Sequence, residues 1–187
     1  MSIFITILAV ILVIGILVGT IYNKLVRLRN TVKSAWSDID VFLKKRFDLI
    51  PGLVETVKGY AKHEREVFEK VTVARSQAMQ AVSPGQAAES DNMLKNTLKS
   101  LFAVAEAYPE LKANQNFLQF QNQFQDIENS IEAARRYYNA VVRDFNILIE
   151  SFPSNIIAGL FNFKQEEFFQ LEEPGEERKP IRPDFTS

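Results

Sequence analysis

The material for catalysis or metal binding in this chain is one histidine, no cysteine and 23 acidic residues. His63 lies in the charged stretch Lys62–Glu66, and the HExxH pattern of zinc proteases fails because position 67 is Val67. A di-iron site needs a Glu-x-x-His pair from each of two helices, which one histidine cannot supply. We therefore expect no catalysis, no cofactor and no metal. Four glutamates are better explained as solvent-exposed, or as partners of Lys or Arg one helical turn away: Glu55, Glu106, Glu128 and Glu132.

Two similar tetrapeptides, Arg136–Asn139 and Arg143–Asn146, stand seven residues apart and could bind a ligand through their side chains. In the simpler interpretation, the aromatic third residue of each fills the interior of a helical bundle. The amides of Asn139 and Asn146 then pair with neighbouring polar groups at its edge. In the alternative, the same amides line a ligand site. We expect the first arrangement.

The first element of the chain is an N-terminal apolar segment. Residues Ile3–Tyr22 form an unbroken apolar run without a charged side chain, and at ~1.5 Å per residue they reach ~30 Å, the thickness of the bilayer hydrocarbon. A cleaved signal peptide is the alternative, but the run is too long and its exit Thr20–Lys24 offers no small-residue cleavage site. We predict an uncleaved transmembrane anchor over residues 1–22.

The charges beside the anchor predict its orientation. No charged side chain precedes the run, whereas Lys24, Arg27, Arg29 and Lys33 follow it before the first acid, Asp38. The positive-inside rule then places the N-terminus outside and the remaining chain in the cytoplasm. Of these cations, we expect the first two to contact the headgroups of the lipid bilayer, because they lie nearest to its surface.

Gly15 and Gly19 stand four residues apart inside the anchor. Small residues at this spacing let two helix backbones approach closely in lipid, although glycines are also common in membrane helices by chance. We expect this face to support self-association of the chain into a homo-oligomer.

Proline and glycine divide the rest of the chain into helices. Neither residue occurs between Thr20 and Ile50, so the anchor is predicted to continue as one helix up to Pro51-Gly52, where either a kink or a hairpin follows. Further helices are predicted over about Leu53–Val82 and about Gln86–Ala107.

A long fourth helix is predicted from an apolar stripe that repeats every three and four residues. Ser154 is expected to cap a short amphipathic helix after it. The predicted fold is all-α, an N-terminal transmembrane helix continuing into a long antiparallel helical bundle or coiled coil, with an anchor at 1–22, a bundle domain at 23–171 and an extended or mobile tail at 172–187. The stripe consists of Phe117, Phe120, Phe124, Ile127, Ile131, Ala134, Tyr138, Val141, Phe145, Leu148 and Phe152.

Several blocks spread over nearly the whole chain carry a family resemblance. They include WSDIDV at 36–41, RFDLIPGLVETVKGY at 46–60, YPELKAN at 108–114 and EAARRYYN at 132–139. In these blocks the chain resembles the LemA family of bacterial membrane proteins. The resemblance implies a single-pass anchor in the bacterial cell (inner) membrane followed by an antiparallel bundle. It implies no established activity, cofactor or catalytic residue, and only a suspected association with membrane-stress peptidases.

The expected function is therefore contact rather than catalysis. The net charge is −1, with basic and acidic residues mixed along the chain, so we expect no nucleic-acid binding. We expect a membrane-anchored scaffold that self-assembles. The alternative is an adaptor for another protein, such as a membrane-stress peptidase or a signalling partner, with Asn114–Gln125 or the charged tail as its contact surface.

Overall fold

The structure, a computed structural model, describes residues 1–170, and helices are the only regular secondary structure there, which confirms the predicted all-α fold class. The predicted tail at 172–187 lies outside the described residues, and the domain limits remain predictions. The helices are α1 (Ser2–Tyr60), α2 (Arg65–Ala78), α3 (Pro84–Glu106), α4 (Pro109–Lys112), α5 (Gln115–Glu150) and α6 (Ser154–Leu160).

Helix α1 is a single helix of 59 residues that begins in the apolar run and ends in the bundle. Its first part exposes large apolar side chains, from 78% of Ile3 to 44% of Leu17, whereas from Leu25 onward it buries one stripe. The predicted continuity up to Ile50 is therefore confirmed. The helix also passes through Pro51, so the hairpin alternative and the separate helix predicted over 53–82 are wrong.

The continuation through Pro51 has a visible cause. Proline has no amide hydrogen, so the carbonyl of Phe47, four residues earlier, loses its helical hydrogen bond. The guanidinium of Arg75 in α2 replaces that donor, because its Nε donates to the Phe47 oxygen at 2.7 Å. A side chain distant in sequence thus satisfies the group that the proline leaves free.

Helices α2 and α3 form a hairpin against the half of α1 that is farther from the apolar run. Lys58 of α1 lies over the ring of Phe68 at 5.9 Å, and Arg75 reaches Phe47, so α2 runs back along α1. Ser83 caps α3 by accepting a hydrogen bond from the amide of Gln86. The predicted third helix, Gln86–Ala107, agrees with α3 within two residues at each end.

Helix α5 returns along the whole bundle, antiparallel to α1. At the far end the Asn114 amide donates to the Tyr60 hydroxyl at 3.0 Å, and nearer the apolar run the rings of Trp36 and Tyr138 lie 5.8 Å apart. The predicted stripe is buried or partly buried from Phe117 to Leu148.

Two predictions at the end of α5 are wrong. Phe152 is 81% exposed, because α5 ends at Glu150 and the chain turns away from the bundle before it. Ser154 is inside α6 rather than its cap, and its hydroxyl donates to the carbonyl of Ser151. The short amphipathic helix itself is present as α6.

The role of Arg75 is testable by a double-mutant cycle with Pro51. Arg75→Met should lower the free energy of unfolding by about 1–3 kcal/mol, because the partly buried Phe47 carbonyl then lacks a donor. In a Pro51→Ala background the same change should cost less, since the alanine at that position supplies a helical amide. Urea unfolding of the detergent-solubilised chain, followed by circular dichroism, measures both; equal losses in the two backgrounds would contradict this explanation.

Candidate functional site

A fully buried arginine joins three helices in the middle of the bundle. Arg46 of α1 has no exposed surface, and its guanidinium pairs with Asp91 of α3, which is 1% exposed. Its second nitrogen Nη1 lies 2.6 Å from Oε1 of Glu128 on α5. An unpaired charge in such a place would destabilise the fold by several kcal/mol, so these helices must meet in this register.

Two further cations complete the cluster at its edge. Lys95 Nζ lies 3.2 Å from Oδ2 of Asp91 and 3.1 Å from Oε2 of Glu128. Arg135 Nη1 lies 3.7 Å from the same Asp91 oxygen. We call these five residues, Arg46, Asp91, Lys95, Glu128 and Arg135, the ion cluster. With three cations and two carboxylates its formal charge is positive.

Sequence reasoning missed this cluster, although a signal was present. Arg46 occupies the buried stripe of α1, four residues before Ile50 and three after Leu43, and Asp91 occupies the stripe of α3 between Ala87 and Leu94. Opposite charges on the apolar stripes of two helices are a sign that they pair with each other.

The predictions for the glutamates are partly confirmed. Glu55 and Glu132 pair locally, with Lys58 and Arg136, whereas the expectation for Glu128 is wrong, because it pairs across helices.

An open cleft of about 670 Å³ between α3 and α5 begins at the ion cluster. Phe102 and Phe124, whose rings meet edge to face at 5.9 Å, line its apolar part. Gln121 and Gln125 line it from the Asn/Gln-rich stretch, and Lys95 lines it from α3. The face predicted as a contact surface for another protein thus borders a real depression. No group of three or more metal-ligating side chains comes together within residues 1–170.

The chain after α6 lies along the half of the bundle that the α2–α3 hairpin leaves open. We call residues 163–169 the clamp segment. Asn146 donates to the carbonyl of Glu166 and accepts from its amide, both at 2.9 Å. Asn139 does the same for Phe169, at 3.3 and 2.9 Å. The two asparagine side chains therefore pair with the extended backbone as a neighbouring β-strand would. This agrees with the interpretation in which their amides bind polar groups at the edge of the bundle.

The end of the clamp segment is buried between α1 and α5. Phe169 has no exposed surface, lies 6.1 Å from the Trp36 ring and is covered by Arg135, whose Cζ is 4.6 Å from its centroid. The Tyr138 hydroxyl donates to the Glu167 carbonyl at 2.7 Å. Burial, with the nearby Glu166 and Glu167 carboxylates, raises the pKa of Tyr138 from its ordinary value of 10 to about 12.

The residues predicted to contact lipid or a second copy are accessible. A Cβ built on Gly15 or Gly19 would meet no atom within 4 Å, so that face of α1 is open to a neighbour. Lys24 and Arg27 are exposed one and two turns beyond. Their contacts with lipid or with another copy stay predictions.

Removal of Arg46 tests the ion cluster. Arg46→Met should destabilise the chain by about 3–5 kcal/mol, because it leaves the Asp91 carboxylate buried with fewer partners. The double variant Arg46→Met/Asp91→Leu should recover most of that loss, because it removes both charges. The midpoint of urea unfolding in detergent reports each variant. If Asp91→Leu adds a further loss to Arg46→Met, the two side chains are not coupled as described.

A model of the LemA family matches residues 35–185, which include the ion cluster and the clamp segment. Protein LemA of Metamycoplasma hominis is 30% identical over 155 residues, 81% of this chain and 69% of that protein. Magnetosome protein MamQ 2 of Paramagnetospirillum magneticum is 24% identical, and magnetosome protein MamQ of Magnetospirillum gryphiswaldense is 22% identical. Each of these two matches covers 87% of this chain and 69% of the relative. The chain belongs to the LemA family.

Proposed function

We propose that this protein is a membrane-anchored helical scaffold that self-assembles into a homo-oligomer, with no catalytic activity. The observation that carries the proposal is the continuity of α1 from the apolar run into the bundle. Because one uninterrupted helix joins them, the orientation of the anchor fixes the orientation of the bundle.

The apolar run supports the anchor. Helix α1 is long and apolar enough to cross a membrane, and none of its most apolar stretch is buried against the rest of residues 1–170. A continuous band of exposed Ile, Leu, Val and Phe of this length is unstable in water and favourable in lipid. Family membership adds support for a membrane-associated protein.

The open glycine face supports self-association. Gly15 and Gly19 lie on one side of α1 with free space before them, which permits close helix packing in lipid. The bundle on the same helix is held in a defined register by the ion cluster. Copies that pack through the anchors would therefore present their bundles in a fixed relation.

The mass of the particle extracted from membranes tests self-assembly. The parent chain in native nanodiscs should give a homo-oligomer, and Gly15→Leu/Gly19→Leu should shift it to smaller particles. The matched control is Val13→Leu/Leu17→Ile, which changes two exposed residues four apart on the opposite side of the same helix. Monomers of the parent chain, or an unchanged mass for the glycine variant, would contradict the proposal.

The cleft between α3 and α5 favours a second function, that of an adaptor for another protein. Its apolar rings and its glutamine rim combine burial with hydrogen bonding, as protein interfaces do. The chain composition of the same extracted particle distinguishes the two functions. A foreign chain in fixed ratio favours the adaptor, whereas copies of this chain alone favour the scaffold.

We also propose that the N-terminus lies outside a bacterial cell membrane and the bundle in the cytoplasm, on the basis of Lys24 and Arg27 beyond the run. The chain has no cysteine, so a single introduced thiol reports its own side of the membrane. In intact cells, an impermeant maleimide should label Ser2→Cys and leave the exposed Ser76→Cys unlabelled. The reverse pattern would contradict this orientation.

A further inference from the structure

The short helix α6 and its flanks carry large apolar side chains that face away from the bundle. Ile157 and Ala158 point into the core, at 4% and 1% exposure, whereas the neighbours on the other side of the helix are open. The open set is Phe152 (81% exposed), Ile156 (62%), Leu160 (76%) and Phe161 (48%). Within the described residues, more than half of the Phe152, Ile156 and Leu160 side chains stays uncovered, and Phe161 stays about half exposed.

Helix α6 lies beside the end of the apolar run. The rings of Tyr22 and Phe161 are 4.7 Å apart, and the Tyr22 and Phe163 rings are 6.0 Å apart. Val18 and Ile21 of the run are partly buried against the core, in contrast to the residues before them. The protein therefore covers the last turn of the run, at the height where the run leaves the hydrocarbon.

This placement determines what the open face meets. A run of ~20 apolar residues fills the hydrocarbon of a bilayer, so its last turn and the helix beside it lie at the boundary between acyl chains and headgroups. Amphipathic segments with Phe, Leu and Ile on one side are stable in this zone. Two exposed cations lie close in sequence to these contacts, Lys24 two residues after Tyr22 and Lys164 directly after Phe163, and basic side chains at this level attract anionic headgroups.

We propose that α6 with Phe152 and Phe161 inserts into the bilayer interface beside α1 and is a second membrane contact of the protein. Its partner is the lipid surface. The contact rests on the membrane span of α1 in the proposed function and is independent of self-association. Two contacts, one along the membrane normal and one in the plane of the interface, fix the tilt of the bundle.

Single-cysteine labelling measures the depth of this face. Full-length Leu160→Cys, carrying an environment-sensitive NBD label, is placed in vesicles of phosphatidylethanolamine and phosphatidylglycerol with spin-labelled quencher lipids. Labelled chains are diluted with unlabelled ones, so that contacts between labels do not contribute. The emission should shift to the blue and be quenched by shallow quenchers at least twofold more strongly than that of the control.

The control is Val82→Cys, because Val82 is 84% exposed and apolar but stands far from the run. Ala81, the residue before it, lines the same small pocket as Asp40, which lies about 27 Å beyond Tyr22 along α1 at ~1.5 Å per residue. A third label at Ile11→Cys, inside the run, separates the two proposals. If the label at Ile11→Cys is quenched but the labels at Leu160→Cys and Val82→Cys are quenched equally weakly, the α6 contact alone is overturned. A crosslink from Leu160→Cys to a second copy has the same meaning. If the label at Ile11→Cys is not quenched, both the membrane span and the α6 contact are overturned.

Discussion

One buried guanidinium sets the arrangement of the bundle. The backbones of α3 and α5 do not approach closely in the described residues, so long side chains must bridge them. Arg46, reaching from α1 between them, has partners on both helices. A buried charge is tolerated only where its partners are in place, so the cluster penalises other registers of the α2–α3 hairpin far more than an apolar contact would. Phe102 of α3 adds an aromatic contact with Phe124 of α5, and Arg75 ties α2 to α1 at Phe47, the residue after Arg46.

The apolar spacing predicted most of the helices, and its failures have physical causes. Helices α3 and α5 could be predicted because their apolar stripes repeat over many turns and because Ser83, Pro84 and Asn114 mark their first residues. The course of α1 past Pro51 was not predictable from local rules, since the rule that proline ends a helix assumes an unsatisfied carbonyl. Here a residue 28 positions after that carbonyl supplies the donor, and only the folded arrangement reveals it.

The sequence indicates some of the contact sites, whereas others are visible only in the folded chain. Charges on apolar stripes, such as Arg46 and Asp91, were visible in the sequence but were not interpreted as a pair. The clamp segment has no periodicity, so its place against Asn139 and Asn146 could not be predicted, although the asparagine spacing of one heptad matched its extended backbone. The anchor was predicted from composition, whereas the position of α6 beside Tyr22 is a long-range contact that composition does not contain.

The dependence of the bundle on Arg46 is tested most directly by amide hydrogen exchange, compared between the parent chain and Arg46→Met in nanodiscs. We expect an uneven effect: amides of α2 and α3 lose the most protection in the variant, while those of α1 and α5, which pack on each other along most of the bundle, lose less. Unchanged protection of α3, or an equal loss over all helices, would contradict the claim that this one side chain holds the hairpin in place.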